Sequence, residues 1–333
     1  QNTSGGLGVA TFFVISGFLV TASMDRSRNW FAYVRARLLR VYPALIVMVL
    51  LTVFVLGPLV TTSARNDYFS QPQTYEYFRV LLLYNNGSYS LPGVFETNIY
   101  PNTINGSLWT LYWEMLCYGL ILVLWLAHLF RKQVILALGL AMIFVRFAVL
   151  DVYPVFLFHK ASLDSIYAFF NYNYARILTQ MLSYFMAGTV FYVYRDKIPM
   201  RRRYVGLALI LMVISIIAGT GLFTFWFPTF GAYLLFYAAS SQRSPFRRFS
   251  KHGDFSYGMY IYAFPVQQSL SYIFGGAMAQ MLNFALATPI TLILAIFSWH
   301  IIEKPALRLK HRSSRSDSPS PELRDQTEAV ISK

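Results

Sequence analysis

The chain has 333 residues, of which 56% are hydrophobic, 18% aromatic and 13% charged, and its mean hydropathy is +0.47. Soluble domains carry about 25% charged residues, so this composition excludes an ordinary soluble domain. The 29 Phe and 24 Tyr residues exclude a disordered chain, and the single cysteine, Cys117, excludes a disulfide scaffold. The composition is typical of an all-α polytopic membrane protein.

Long apolar runs predict about nine transmembrane helices, because roughly 20 apolar residues are needed to cross the hydrocarbon core of a bilayer. The segment that begins at Phe225 is short and is also compatible with a re-entrant helix. The predicted spans, in chain order, are Leu7–Met24, Tyr42–Thr62, Leu108–Phe130, Val134–Leu150, Ile177–Tyr194, Tyr204–Leu222, Phe225–Ser240, Tyr257–Phe274 and Met281–Ile302.

The basic residues predict which connections face the cytoplasm. Of the 28 Lys and Arg residues, 23 fall in alternate connections and the C-terminal tail, four fall in the remaining connections, and Arg146 lies inside a span. Basic loops stay on the cytoplasmic side of membrane proteins, so we expect the C-terminus inside and, with nine spans, Gln1 outside. The same anchoring accounts for the formal charge of +14 without a nucleic-acid partner.

We expect a membrane domain over residues 1–305 and a disordered cytoplasmic tail over residues 306–333, which is rich in Ser, Pro and charge. An outside N-terminus without a starting methionine leads us to expect a further span ahead of Gln1, and so ten in the intact protein.

The external segments Ser63–Ser107 and Asp151–Arg176 are rich in aromatic and amide side chains. Such side chains suit carbohydrate binding, and they equally suit an interfacial aromatic belt.

A carboxylate inside a predicted span is the first candidate for chemistry, because a charged group within the membrane costs a few kcal/mol. Glu114 belongs to a polar stripe whose members recur at steps of three and four residues on one helix face. A buried carboxyl suits a general acid or base, and structural pairing with Arg146 is an equally open interpretation. The stripe consists of Ser107, Thr110, Glu114, Cys117 and Tyr118.

A cluster of arginines precedes the span that we expect to start near Pro43. If this segment is helical, Arg37 and Arg40 lie three residues apart on one face. Guanidinium groups bind phosphate with two hydrogen bonds, so the pair suits an anionic phosphate ligand. Anchoring of the span at the membrane edge explains the arginines as well.

The five histidines show no metal-ligand spacing, and we expect no metal site.

Several stretches of the chain resemble the bacterial membrane-bound acyltransferase family 3, in the order in which that family carries them. The resemblance covers residues 5–305. It is carried by Gly8–Leu19, by the arginine stretch Arg35–Pro43, by Ser107–Tyr118 (Ser-Leu-Trp-Thr-Leu-Tyr-Trp-Glu-Met-Leu-Cys-Tyr), by Ser256–Pro265 and by the closing Glu303–Pro305.

The resemblance implies transfer of an acyl group, usually acetyl, from cytoplasmic acyl-CoA to a hydroxyl of an extracytoplasmic carbohydrate such as O-antigen or exopolysaccharide. It implies a place in the bacterial inner membrane, among membrane lipids. By position, Glu114 would orient or protonate the reacting groups. The implied ligands of the CoA phosphates are Arg37, Arg40 and Arg35, and the implied substrate-binding residues are Trp109, Tyr118 and Tyr257.

Two departures from the family pattern bear on the reaction. The family's catalytic Arg…His pair precedes the stretch at Gly8, and nothing here matches it; we expect the pair on the upstream span and no turnover without it. Many members carry His where this chain has Ala263.

The alternative function is a transporter or flippase for an envelope glycan or lipid, although no repeat of paired broken helices is visible. A membrane scaffold or sensor is a third possibility.

Overall fold

The computed structural model describes residues 4–27, 29–83, 90–146, 172–218, 220–240, 253–276 and 278–309. The predicted external loop 151–176 and the predicted tail 306–333 lie mostly outside these ranges. The α-helices in the described residues are α1 (Ser4–Asp25), α2 (Trp30–Leu51), α3 (Gly57–Val60), α4 (Arg65–Ser70), α5 (Pro72–Glu76), α6 (Trp109–Leu126), α7 (Lys132–Phe144), α8 (Tyr172–Val193), α9 (Arg202–Ala218), α10 (Thr220–Trp226), α11 (Ala232–Ser240), α12 (Ser256–Ile273) and α13 (Gln280–Ser298).

The described residues form an all-helical membrane protein, as the sequence predicts. Four helical segments are long and apolar enough to cross a bilayer, and α7 is apolar but shorter. Large apolar side chains such as Ile217 and Met281 are four-fifths exposed, which suits contact with lipid tails that are equally apolar. The four segments are Gly5–Asp25, Trp30–Val60, Trp109–Leu126 and Gln280–Leu309.

Helices overlap each predicted span, but with four described segments long and apolar enough to cross a bilayer, the predicted count of nine is not confirmed. Two of the helices differ from the expectation. Helix α2 begins at Trp30 rather than near Pro43, so the arginine stretch is helical and continuous with the span. Pro43 is tolerated inside this helix, as prolines often are in membrane helices. The short segment after Phe225 is interrupted, because a π-helical turn at Phe227–Gly231 that contains Pro228 separates α10 from α11.

The chain divides into two compact units, of which the first comprises residues 1–30 and 110–252. Its central contact is between α1 and α8, whose backbones meet at two glycines. A Cβ atom at Gly17 would lie 1.9 Å from the carbonyl oxygen of Phe185, and one at Gly188 would lie 1.9 Å from that of Val14. Only glycine permits this approach, which is typical of close helix packing in membranes.

The second unit comprises residues 31–109 and 253–333. Helices α12 and α13 pack closely, since a Cβ atom at Gly258 would lie 2.8 Å from the Cα atom of Ala295. A second π-helical turn, Trp299–Glu303, continues α13, and a third, Thr52–Leu56, continues α2. Turns of this kind are frequent at functional sites.

Candidate functional site

In the first unit, Glu114 is buried in α6 and only 6% exposed. Its Oε1 atom accepts a hydrogen bond from the Tyr118 hydroxyl, one helical turn further along α6, and lies 3.5 Å from the donating Ser16 hydroxyl on α1. Hydroxyl groups can both donate and accept hydrogen bonds. The carboxyl group is therefore held by partners that could also pass a proton.

The packing of α1 against α8 determines where Ser16 lies. Gly17 follows Ser16 and touches the α8 backbone. One turn further on, the Thr21 hydroxyl donates to that of Thr189 at 3.1 Å. These contacts fix the rotation of α1, and with it the direction in which Ser16 faces.

Aromatic side chains cluster around Trp113, which precedes Glu114 on α6. Trp113 is 1% exposed, and its ring centroid lies 4.7 Å from that of Tyr174 and 5.0 Å from that of Tyr112. The Tyr112 and Tyr174 hydroxyls are also hydrogen-bonded to each other. Among the described residues, the Trp113 indole nitrogen has no acceptor. A buried donor without an acceptor is unfavourable by about 1–3 kcal/mol.

The predicted polar stripe is present with one exception. Thr110 and Cys117 are buried on α6 together with Glu114. Ser107 precedes the helix, and its hydroxyl donates to Asn105 Oδ1 at 2.6 Å instead. Trp109, a predicted substrate contact, is the first residue of α6 and is half-buried. Arg146 is buried in the first unit, and its pairing with Glu114 stays a prediction.

In the second unit, Arg40 on α2 is the centre of an ion-pair cluster. Its Nη1 atom lies 3.0 Å from Glu303 Oε2, and its Nη2 atom lies 2.7 Å from Asp254 Oδ2. The same Nη2 is 3.4 Å from the Ser256 hydroxyl, and the guanidinium carbon lies 5.5 Å from the centroid of the Tyr257 ring. Arg40 is thus held on several sides by groups of its own unit.

Glu303 is the most buried member of this cluster, at 2% exposed. Its second oxygen, Oε1, accepts from the Ser298 hydroxyl at 3.0 Å. Tyr257 also links the same elements, because its hydroxyl donates to the Val41 carbonyl oxygen of α2 at 2.9 Å. Tyr257, a predicted substrate contact, therefore joins α12 to the arginine helix.

The three predicted phosphate ligands have different surroundings. Arg35 donates to the carbonyl oxygen of Leu309, beyond the end of α13. Arg37 lies one turn before Arg40 and is half-buried. Arg40 pairs with two carboxylates. This pairing differs from the expectation that Arg37 and Arg40 bind one phosphate group together.

The stretches that carry the family resemblance meet at two places. Ser16, in the stretch that begins at Gly8, meets Glu114, in the stretch that begins at Ser107. Arg40, in the stretch that begins at Arg35, meets Ser256 and Glu303, which belong to the remaining two stretches. Because Ser16 and Glu303 lie in these stretches, the sequence could have indicated Ser16 as a partner of Glu114 and Glu303 as a partner of Arg40. No sequence signal indicated Asp254 as a partner of Arg40 or Ser298 as a partner of Glu303.

Within the described ranges, no group of three His, Cys, Asp or Glu side chains is placed to hold a metal ion.

Comparison with known proteins identifies the family. The profile of acyltransferase family 3, described as an acyltransferase domain, matches residues 1–300. The chain belongs to acyltransferase family 3. A curated relative of this acyltransferase is the O-acetyl transferase of Shigella phage Sf6, which is 26% identical over 311 residues, or 91% of this chain and 85% of the relative. No solved structure matches the chain. Membership in the family makes the protein an acyltransferase enzyme, and the relative supports transfer to oxygen.

Proposed function

We propose that this acyltransferase moves an acetyl or related acyl group from cytoplasmic acyl-CoA to a hydroxyl group of an envelope carbohydrate outside the membrane. The observation that carries the proposal is the buried Glu114 carboxyl group, which is hydrogen-bonded to the hydroxyls of Ser16 and Tyr118. Transfer to an alcohol requires that a proton leave the acceptor hydroxyl and that one reach the departing thiolate. A carboxyl group within a chain of hydroxyls can orient or exchange such protons.

We infer that the protein lies in a bacterial inner membrane with about nine spans and its C-terminus in the cytoplasm. The support for this orientation is the division of basic residues, 23 against four, between alternate connections. It places the Arg40 end of the second unit at the cytoplasmic surface. The CoA nucleotide and pantetheine groups are soluble and would approach from that side.

We assign the CoA phosphates to Arg37, with Arg35 nearby on the same helix. Arg40 has a different role in this proposal, because its guanidinium is engaged by Asp254 and Glu303. It fixes α2 against α12 and α13 and so positions the turn that carries Arg37. Trp109 and Tyr118 would contact the acyl group or the acceptor, and Tyr257 would support Arg40.

The test uses sealed vesicles that hold the full-length protein and an envelope glycan, with labelled acetyl-CoA on the cytoplasmic side. Label on the glycan is the expected result. Movement of glycan across the membrane without label would contradict acyl transfer and support a transporter.

The assignment of the arginines is tested in the same vesicles. Arg37→Ala should raise the KM for acetyl-CoA by about tenfold, because one charged hydrogen-bonding pair is lost. Arg202→Ala is the matched control, since Arg202 is an exposed arginine on the predicted cytoplasmic side. Equal KM values for the two variants would mean that the Arg37 charge only anchors the span.

A further inference from the structure

A cavity lies in the second unit, far from the Arg40 cluster. It has a volume of about 290 Å³ and is lined by the last turns of α12, the first turns of α13 and the loop at Tyr100. Gln280, at the start of α13, is 23 residues from Glu303, or about 35 Å along a helix. This distance matches the thickness of a bilayer core, so the cavity and the Arg40 cluster lie at opposite membrane surfaces.

The chemistry of the lining is specific. The lining combines amide side chains with aromatic rings, and none of the lining residues carries a charge. The polar members are Gln267, Gln268, Gln280, Asn283 and Ser271, and the aromatic members are Tyr100, Phe264 and Phe284. The rings of Tyr100 and Phe264 lie 6.1 Å apart, tilted by 51°.

The wall of the cavity is rigidly built. Gln268 donates to the carbonyl oxygens of Tyr100 at 2.8 Å and Thr103 at 2.6 Å, and its own oxygen accepts from Asn98 at 3.2 Å. Asn283 donates to the Gln267 carbonyl oxygen and to Ser271, both at 3.0 Å. These contacts tie the loop to α12 and α12 to α13, so the cavity exists before a ligand binds.

Several groups remain available for a ligand. The side-chain amides of Gln267 and Gln280 and the Oδ1 atom of Asn283 have no hydrogen bond to any residue that the structure describes. An amide offers a donor and an acceptor side by side, which matches neighbouring hydroxyl groups of a sugar ring. An aromatic face presents partial negative charge and packs against the C–H face of the same ring.

We propose that this cavity binds one neutral sugar unit of the acceptor glycan. A charged sugar or a phosphate headgroup would meet no countercharge in the lining and would lose hydration without compensation. The volume is near the lower end for small-molecule sites, which suits a single unit. The inference rests on the proposed function, since it names where the glycan is held outside the membrane.

Binding is measured directly by saturation-transfer NMR on the full-length protein in phospholipid nanodiscs, free of sugar detergents. The probes are the methyl glycosides of glucose, galactose and mannose, with methyl glucuronide as the charged comparison. At least one neutral glycoside should give a signal that methyl glucuronide does not. In the double variant Tyr100→Ala/Gln280→Ala this signal should fall by about tenfold, because a stacking face and a hydrogen-bonding pair are lost.

The matched control is Tyr75→Ala/Gln73→Ala, which removes an exposed tyrosine and glutamine from the same unit, outside the cavity. It should keep the wild-type signal. An equal signal in both double variants, no signal in the wild type, or displacement of the sugar by glycerol 3-phosphate would each overturn the proposal.

The vesicle assay separates this inference from the proposed function. Transfer of label to glycan with an unchanged glycan KM in Tyr100→Ala/Gln280→Ala would overturn the cavity as the acceptor site and leave acyl transfer standing. Loss of sugar binding in the double variant, with no label transferred by the wild type, would support the cavity as a sugar site and contradict the acyl transfer.

Discussion

The two units each bury a glutamate, and the partners of the two glutamates differ. Glu114 in the first unit accepts hydrogen bonds from the hydroxyls of Ser16 and Tyr118. Glu303 in the second unit pairs with the Arg40 guanidinium and accepts from Ser298. A hydroxyl can relay a proton, whereas a guanidinium stays protonated at any physiological pH. The first arrangement therefore suits proton transfer, and the second suits a permanent link between helices.

The comparison is tested most severely by Glu114→Gln, which keeps the shape and removes the acid. We expect acyl transfer to fall by about 10²–10⁴-fold, the usual contribution of a general acid or base, with little change in stability. The measurement is the rate of label transfer in vesicles, beside the thermal midpoint. Glu96→Gln, at an exposed carboxylate, should leave the rate unchanged. A large fall in the thermal midpoint of Glu114→Gln would instead show that Glu114 has a structural role, as Glu303 does.

Glu303→Gln should show the opposite pattern. Removing one partner of a buried ion pair is strongly destabilising, but Asp254 remains beside Arg40, so we expect a loss of about 2–3 kcal/mol in the free energy of unfolding. Unfolding by SDS in mixed micelles measures it. The control Glu76→Gln removes an exposed pair with Arg79 and should cost less than about 0.5 kcal/mol. An unchanged unfolding curve for Glu303→Gln would show that Arg40 does not need this partner.

Gly17→Ala should disturb the position of Ser16, since the added methyl group would meet the Phe185 backbone at 1.9 Å. We expect a loss of about 2 kcal/mol in stability from overpacking, accompanied by slower transfer. Gly8→Ala in the same helix is the control, because a Cβ atom there would have no neighbour within 4 Å. Alanine favours a helix more than glycine, so this control should be neutral or stabilising. Equal effects at the two glycines would argue against the close contact of α1 and α8.

Tyr118→Phe is expected to have the smallest effect. It removes one hydrogen bond to a carboxyl group and leaves Ser16 in place, so kcat should fall by about tenfold. The KM for acetyl-CoA should stay the same, which single-turnover and steady-state rates can separate. Tyr75→Phe, at an exposed tyrosine, should change neither constant. A larger fall in stability than in kcat would indicate that the Tyr118 hydroxyl mainly holds α6 together.

Apolar runs were sufficient to place the helices, because twenty apolar residues leave the chain few other structures in a membrane. The predicted start of this span was wrong by about three turns, since the apolar run alone did not show that the arginine stretch Arg35–Arg40 would be part of the same helix. Glu114 could be recognised as a candidate from its burial in a span. The contact of Arg40 with Glu303 could not, because the two residues are 263 positions apart and nothing local to either specifies the other.

The cavity, which lies at the end of α12 and α13 opposite the Arg40 cluster, could not be predicted from the sequence either. The aromatic and amide side chains of Ser63–Ser107 suit either a carbohydrate-binding loop or an interfacial aromatic belt, and only Ile99 and Tyr100 of that segment line the cavity. The amide side chains belong to α12 and α13, which the sequence predicts only as membrane spans. Their meeting depends on how α12 packs against α13, which no spacing along either helix reveals.

The π-helical turn at Trp299–Glu303 makes the Ser298–Glu303 hydrogen bond depend on chain length. Residues five apart point about 140° away from each other on a regular α-helix, so the wider turn is what brings them to one side. Deleting a single residue within 299–303 would leave Ser298 and Glu303 four residues apart, only about 40° from each other on a regular α-helix. The π-helical turn therefore absorbs one extra residue, and Leu309, whose carbonyl oxygen holds Arg35, would keep nearly the same orientation. A one-residue deletion should be tolerated within this turn, whereas the same deletion within α13 would rotate the residues that follow it by about 100°.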